Sequence, residues 1–584
     1  MSLLARCFAL CLLFVVAACS DDAPQRKAMV ATGNTHATDA AAAILAKGGS
    51  ATDAAITAQL VLTLTEPQSS GIGGGLFMLH YQGDDTSITT FDGREKAPLN
   101  ADETLFLKPD GKPLAWPDAA LGGRPVGTPG VISALWKAHR KSGRLEWASL
   151  FEPAISLAEN GFAVSPRLHA AIADANHLDT DDAAAAIYFL GDGDYGEPDV
   201  AVPVGHILKN QPYADTLKLI AANGPDGFYK GPVAQSIVDA VRSNEVNPGL
   251  MTLADLSAYE AIEREPVCAP YRVYRVCGMG PPTSGGLTSL MILGLLEPYQ
   301  MSSLDPGGLV AAHLFAQASR LAFADRNQYM ADADFADVPV AGLLDRDYLR
   351  SRSRFINPVR DMGSATPGTP PGSDMESLAA DAGLVENGTS HLAIVDMDGN
   401  AVSMTMSVER AFGARITAGG FVLNNQLTDF SFVPTRAGKR VANRVQAGKR
   451  PRSSMSPSLV LNDDGSLFAV VGSPGGSRII GYTAHALLGL IDWQMPMQQA
   501  VSQLHVINRN GRTELEDTAE GSDLAGTLNQ FARLAAPLAD LGHTVEVKPL
   551  TSGLHGIRIL PDGRMDGGAD PRREGTVVEV GEEK

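Results

Sequence analysis

Cysteine, aromatic residues and positive charge are all scarce in this chain, and each shortage closes off a class of function. Five cysteines in 584 residues cannot form the dense framework of a disulfide-stapled scaffold. Aromatic residues make up 6%. Neither Cys-x-x-Cys nor His-Glu-x-x-His spacing occurs, and the 12 histidines are scattered, so no metal and no cofactor is expected. Lys and Arg number 47 against 66 Asp and Glu, a net charge of −19. That balance argues against nucleic acid as a partner, because its binders need basic patches. What remains is ordinary globular composition, 44% hydrophobic and 19% charged, in a chain long enough for several domains or one large fold with insertions.

The first residues read as an export signal. Arg6 precedes an unbroken apolar run over residues 8–18, shorter than the roughly 20 residues that span a bilayer. Small residues before Cys19 and the polar Ser20-Asp21-Asp22 after it resemble a bacterial lipoprotein signal. That resemblance implies removal of residues 1–18, lipid on Cys19 and anchoring in the cell envelope; the alternative is an ordinary secretory signal. Cys7 and Cys11 would leave with the leader, so Cys268 and Cys277 remain as an even pair in an oxidising compartment. Residues 267–277 read as two strands around a turn near Pro270-Tyr271. Antiparallel pairing centred between Arg272 and Val273 sets the cysteines opposite each other. They are either a disulfide or two small buried apolar residues.

Beyond a tether at residues 23–28, helices are predicted at 38–47 and from about Thr52-Asp53, with Thr and Asp as caps. Strands are expected at 76–81 and 87–91. Helical spacing recurs at 131–141, 214–222, 233–241, 287–296 and 309–329. Residues 361–388, rich in Pro, Gly, Ser and Thr, read as a flexible surface stretch. A hairpin is expected over 392–396 and 401–407, then strands at 420–423, 458–461 and 467–471 and helices at 479–490 and 497–504. A mixed sheet with helices packed on its faces follows.

Two segments carry chemistry. In Asn387-Gly388-Thr389-Ser390-His391, a threonine hydroxyl needs a base to become nucleophilic. A threonine at a chain start can use its own α-amine, whose pKa is about 7.7–8.0. That arrangement requires cleavage at Gly388–Thr389. The second is Gly472-Ser473-Pro474-Gly475-Gly476-Ser477-Arg478. Between a strand and a helix, consecutive glycines can aim backbone N–H groups at a developing oxyanion. The same run could be only a tight turn; it lacks the Lys-Ser/Thr ending of a phosphate loop. Gly71–Gly75 leads into a strand rather than a helix, so a dinucleotide loop fails there.

With Glu66-Pro67-Gln68-Ser69-Ser70 before those glycines, Asp92-Gly93-Arg94-Glu95-Lys96-Ala97-Pro98, Pro281-Pro282-Thr283-Ser284-Gly285-Gly286, the residues 423–431 and Lys449-Arg450-Pro451-Arg452-Ser453-Ser454-Met455-Ser456-Pro457, the chain resembles the γ-glutamyltransferase family across nearly its whole mature length. The resemblance implies an N-terminal-nucleophile hydrolase, an αββα sandwich made as a precursor. It would split into a large subunit, 19–388, and a small catalytic subunit, 389–584, that stay paired. It implies γ-glutamyl donors such as glutathione, with water or an amino acid or peptide as acceptor. By position Thr389 matches the nucleophile, and Ser407 stands where the family usually has a supporting threonine. Gly475 and Gly476 match the oxyanion hole, Arg94 the grip on the donor's α-carboxylate, and Ser453 and Ser454 its hydroxyl partners. Gln426 and Asp429 match the groups that hold the donor's α-amine.

Two departures stand out. Glu409 replaces an asparagine that contacts that amine, and residues 432–448 are shorter than the usual lid and lack its tyrosine. This segment carries Arg436, Lys439, Arg440 and Arg444 without an acid, either as a solvated loop or as an attractant for acidic substrates. The competing functions are a glutaryl-cephalosporin-acylase-like amidase on the same scaffold and an inactive lipoprotein that only binds γ-glutamyl compounds.

Overall fold

In the computed structural model, residues 27–191, 200–374, 378–381, 388–517 and 533–581 are described. Cys19 and the export signal lie outside them. Two antiparallel sheets face each other. One runs in the order Thr576–Gly581, Lys27–Thr32, Ser390–Val395, Ala401–Ser407, Gly75–Tyr81, Ile88–Gly93, Ile262–Arg264. The other runs Met565–Ala569, His555–Ile559, Leu467–Gly472, Ser458–Leu461, Tyr274–Gly278, Val267–Tyr271.

Side-chain alternation builds the layers. On the Gly75–Tyr81 strand, Phe77, Leu79 and Tyr81 enter the core between the sheets, with Ala393 and Val395 from Ser390–Val395 and Leu459, Val470 and Ile557 from the facing sheet. Leu76, Met78, Leu392 and Ile394 point the other way, into a core shared with helices Thr35–Ala46, Ala51–Thr65 and Val131–Ser142. The far face of the second sheet packs Val276, Val460, Ala469 and Val471 against Gly285–Leu296, Leu309–Tyr329 and Ile479–Ile491. Both faces of both sheets are therefore covered, so their strands read as apolar runs rather than clean alternation. The result is an αββα sandwich.

The expected helices and strands are present within a few residues, with Leu309–Tyr329 as read. The helix caps differ. Asn34 caps the first helix, and Ser50 caps the second, in a capping box with Asp53 three residues on. The stretch 361–388 is pinned where it is described. Asp361 pairs with Arg320 at 3.1 Å, and the Thr366 and Gly368 carbonyls accept from Arg352 and Tyr329.

The hairpin pairs Cys268 opposite Cys277 and Tyr271 opposite Tyr274. Its turn is Arg272-Val273, two residues beyond Pro270-Tyr271 and at the expected centre of the pairing, with Arg272 at φ 55°. The cysteines form a disulfide. Denatured, unreduced mature protein is expected to show no free thiol at either position. Cys277→Ser should cost about 2–3 kcal/mol, the scale for closing a short loop, read as a lower urea midpoint. Two free thiols in that titration would exclude the bond.

Candidate active site

Thr389 immediately precedes the Ser390–Val395 strand, at the middle of the first sheet. This strand is flanked by Lys27–Thr32 and Ala401–Ser407, which fixes Thr389 from both sides. The hydroxyl of Thr389 abuts the Gly388 carbonyl oxygen and donates to Ser407 Oγ at 3.2 Å. Ser407 in turn donates to the same carbonyl at 2.8 Å and accepts the Glu409 N–H at 2.9 Å. A hydroxyl therefore polarises the Gly388 carbonyl while touching the nucleophile beside it. The Gly388 N–H is held by the Glu409 carbonyl at 2.7 Å. A Cβ on residue 388 would press into the backbone of Glu409 and Arg410, so glycine here reflects close packing as well as access for attack.

The glycine turn follows the Leu467–Gly472 strand and opens helix Ile479–Ile491. Gly472 lies against the His391 ring, two residues from Thr389. Gly475 has φ 130° and Gly476 φ 61°, a left-handed pair that a side chain would strain. The two glycines give this turn a conformation that other residues rarely adopt, and their N–H groups are the candidate donors to an oxyanion.

The remaining assigned residues form a buried charge cluster. Arg94 ends the Ile88–Gly93 strand and is fully buried. Its Nη2 pairs with Asp429 Oδ2. Nε donates to the Pro451 carbonyl at 3.1 Å and Nη2 to the Arg452 carbonyl at 3.2 Å. Gln426 Nε2 donates to Asp429 at 2.8 Å, and Asn443 Nδ2 holds the Asp429 carbonyl at 2.7 Å. Ser453 Oγ accepts the Met455 N–H at 3.1 Å, and Ser454 Oγ accepts from Arg326 at 2.8 Å. Both hydroxyls are engaged as acceptors, so each can turn its proton toward a carboxylate.

Glu409 is buried at φ 80°, and its Oε2 has no hydrogen-bond partner among the described residues; neither has Gln426 Oε1. Burial first, and then the Asp429 carboxylate, raise the Glu409 pKa well above the usual range. Glu95, 3.6 Å from Arg94, is pushed up to about 8, chiefly by burial. Its two buried oxygens likewise have no hydrogen-bond partner among the described residues. The cluster thus holds three carboxyl groups around one guanidinium.

The sequence assigned the others but not Glu95, Arg326, Asn443 or Arg573, whose Nη1 donates to the Thr389 carbonyl at 2.9 Å. Glu95 adjoins Arg94 in a quoted motif and could have been found there. Nothing local marks Arg573. The segment 432–448 is not simply a solvated loop. Lys439 and Arg440 are exposed, but Arg444 is buried with Nε on Glu103 at 2.8 Å, and Asn443 supports Asp429.

A four-layer αββα sandwich with a threonine at the head of an inner strand is the architecture of the N-terminal-nucleophile hydrolases. The gamma-glutamyltranspeptidase family model matches residues 37–580, and the chain belongs to that family. It is 33% identical to the glutathione hydrolase proenzyme of Bacillus subtilis (strain 168) over 561 residues, 94% of this chain and 91% of that one. It is 34% identical to the Acylase ACY 1 proenzyme of Pseudomonas sp. (strain SE83), covering 95% and 94%. Among solved structures, the cephalosporin acylase from Bacillus halodurans superposes with a TM-score of 0.79 at 26% identity, covering 95% of this chain and 96% of that one.

Glu409 bears on which kind of acyl donor the site would accept. A γ-glutamyl donor brings an ammonium to Asp429, Glu409 and Gln426 Oε1, and a charge-assisted hydrogen bond there is worth roughly 1.5–3 kcal/mol. A glutaryl donor brings none and leaves like charges together. γ-Glutamyl anilides should be cleaved with kcat/KM at least about tenfold above glutaryl anilides, the equivalent of about 1.4 kcal/mol. Glu409→Gln should narrow the gap by weakening the glutamyl reaction. Since burial and Asp429 raise the Glu409 pKa, the glutamyl preference should grow as pH rises and its proton leaves. Equal rates on the two anilides would remove Glu409 from the site.

Proposed function

We propose that this chain transfers γ-glutamyl groups from glutathione and related amides to water, an amino acid or a peptide, through an ester on Thr389 formed after the chain cuts itself at Gly388–Thr389. The observation that carries the reading is the pair of buried, unpartnered acceptor oxygens, Glu409 Oε2 and Gln426 Oε1, beside an Arg94–Asp429 ion pair. The α-carbon of a γ-glutamyl group bears a carboxylate and an ammonium, the charge complement of that pair. Arg94 with Ser453 and Ser454 takes the carboxylate, and Asp429, Gln426 and Glu409 take the ammonium.

In maturation, Thr389 Oγ attacks the Gly388 carbonyl carbon while Ser407 donates to its oxygen. The C–N bond breaks as the acyl group passes to Oγ, and the hydroxyl proton moves to the departing nitrogen, which becomes the Thr389 α-amine; water then hydrolyses the ester, freeing the Thr389 hydroxyl and the Gly388 carboxylate. In turnover the free amine takes the hydroxyl proton as Oγ attacks the γ-carbonyl. The oxyanion meets the Gly475 and Gly476 N–H groups, the C–N bond of the donor breaks, and the leaving amine receives the proton. Water or an acceptor amine then releases the glutamyl group. The two products of the cut, 19–388 and 389–584, act as one heterodimer, held to a membrane of the envelope through lipid on Cys19. The acylase relatives keep a glutaryl amidase as the second reading, which the charge balance around Glu409 disfavours.

Purified wild type is expected as two chains, the smaller beginning at Thr389. It should release glutamate from glutathione and form a γ-glutamyl product when an acceptor dipeptide is added. Thr389→Ala should stay a single chain without either activity. Full activity in an uncut wild-type chain would end this mechanism.

A further inference from the structure

Both halves of the catalytic centre are gripped from one place outside the sandwich. Strand Thr513–Asp517 lies in a separate three-stranded sheet between Val506–Asn508 and Val545–Pro549. Its alternation sends Leu515 into a small core beside helix Leu309–Tyr329 and puts Glu514 and Glu516 on the opposite face. Glu514 receives a two-pronged bond from Arg478, Nε at 2.6 Å and Nη2 at 3.1 Å. Arg509 joins from Nη2 at 2.9 Å, while its Nη1 donates to Ser477 Oγ at 2.7 Å. The two residues that follow Gly475-Gly476 are thus both fixed through Glu514.

Glu516 does the same for the nucleophile. Arg572 grips it from Nε and, at 2.8 Å, from Nη2, and turns Nη1 to Asp570 at 3.0 Å. With Arg572 held, the next residue, Arg573, is fully committed. Its Nε donates to the Ser552 carbonyl at 2.9 Å and its Nη1 to the Thr389 carbonyl at 2.9 Å. Its guanidinium also lies 3.6 Å from Glu66, whose Oε2 accepts from Ser390 Oγ at 3.0 Å. The carbonyl of Thr389 is therefore anchored by a buried cation, and rotation of that residue would break the bond.

We infer that Glu514 and Glu516 are positioning residues of the reaction: Glu514 sets the oxyanion turn through Arg478 and Arg509, and Glu516 sets Thr389 through Arg572 and Arg573. The inference rests on the proposed γ-glutamyl reaction. A bidentate Arg–carboxylate pair fixes angle as well as distance, and a misplacement on the order of 1 Å can cost about a hundredfold in rate. Neither glutamate touches the assigned donor-binding residues, so the effect belongs to kcat.

The test uses the processed enzyme with γ-glutamyl-p-nitroanilide, and rates are referred to active sites counted by the burst of p-nitroaniline. Glu514→Gln and Glu516→Gln are each expected to lower kcat per titrated site by about tenfold or more, with KM within about twofold of wild type. If either variant gives no folded protein, Arg478→Lys or Arg572→Lys, which keeps the charge but loses the two-pronged bond, is read in the same way. Fewer titrated sites with unchanged kcat per site would show a purely structural role and overturn the inference. So would an effect confined to KM. A wild type that does not turn over the anilide would instead refute the γ-glutamyl reading.

Discussion

Everything at the site depends on how the strands interleave around Ser390–Val395. This strand, which follows the proposed cut, hydrogen-bonds on one side to Lys27–Thr32, from the segment before the cut, and on the other to Ala401–Ser407, which pairs with Gly75–Tyr81. The second sheet likewise joins Ser458–Leu461 to Tyr274–Gly278 across the two halves. Breaking the peptide at 388–389 removes one covalent link and none of these ladders. Two chains so interleaved cannot part without exposing the cores they share and many backbone groups. The new terminus therefore keeps the position the uncut chain gave it, as an N-terminal nucleophile requires.

The donor pocket is governed by a different constraint, the cost of burying like charges. Arg94 is one cation beside Asp429, Glu409 and Glu95. Three ionised carboxylates around it would repel strongly in a buried site. Burial and the neighbouring carboxylates raise the pKa values of Glu409 and Glu95 accordingly, so uptake of a proton is favoured at each. A donor ammonium can replace one of those protons, so the free pocket is already prepared for a cation. A neutral or purely anionic acyl group offers no such exchange.

Much of this was legible in the sequence, and the reasons differ by residue. Helices such as Leu309–Tyr329 and the strands on either side of residues 397–400 follow from periodicity and turn chemistry. The cysteine register followed from pairing arithmetic alone. Thr389, Arg94, Asp429 and the two glycines were visible because each sits in a short, distinctive run. What stayed hidden depends on contacts far apart along the chain. Arg573 meets Thr389 across 184 positions, and Arg478 meets Glu514 across 36. No local pattern distinguishes such an arginine from a solvated one. The basic segment 432–448 was legible in part: Arg436, Lys439 and Arg440 are exposed, as composition suggested, and only the fold places Asn443 against Asp429 and buries Arg444 on Glu103.

Ser407 shows how one small group can serve the proposed cycle twice. Its hydroxyl donates to the Gly388 carbonyl and accepts from both Thr389 Oγ and the Glu409 N–H. Those three bonds use its single proton and both lone pairs, so its orientation is determined. In the uncut chain the proton is spent on the bond to be broken. Once Gly388 departs, the same proton is free to turn toward Thr389 Oγ or an incoming carbonyl, while the Glu409 N–H still holds the oxygen in place. The strained positive φ at Glu409 is what brings that N–H back over Ser407. In the proposed cycle, maturation and donor recognition would therefore share one residue: the backbone of Glu409 holds Gly388 and Ser407, and its side chain faces the charge cluster. A substitution there must be judged on both chain cleavage and donor preference, because the two effects arise from different atoms of the same residue.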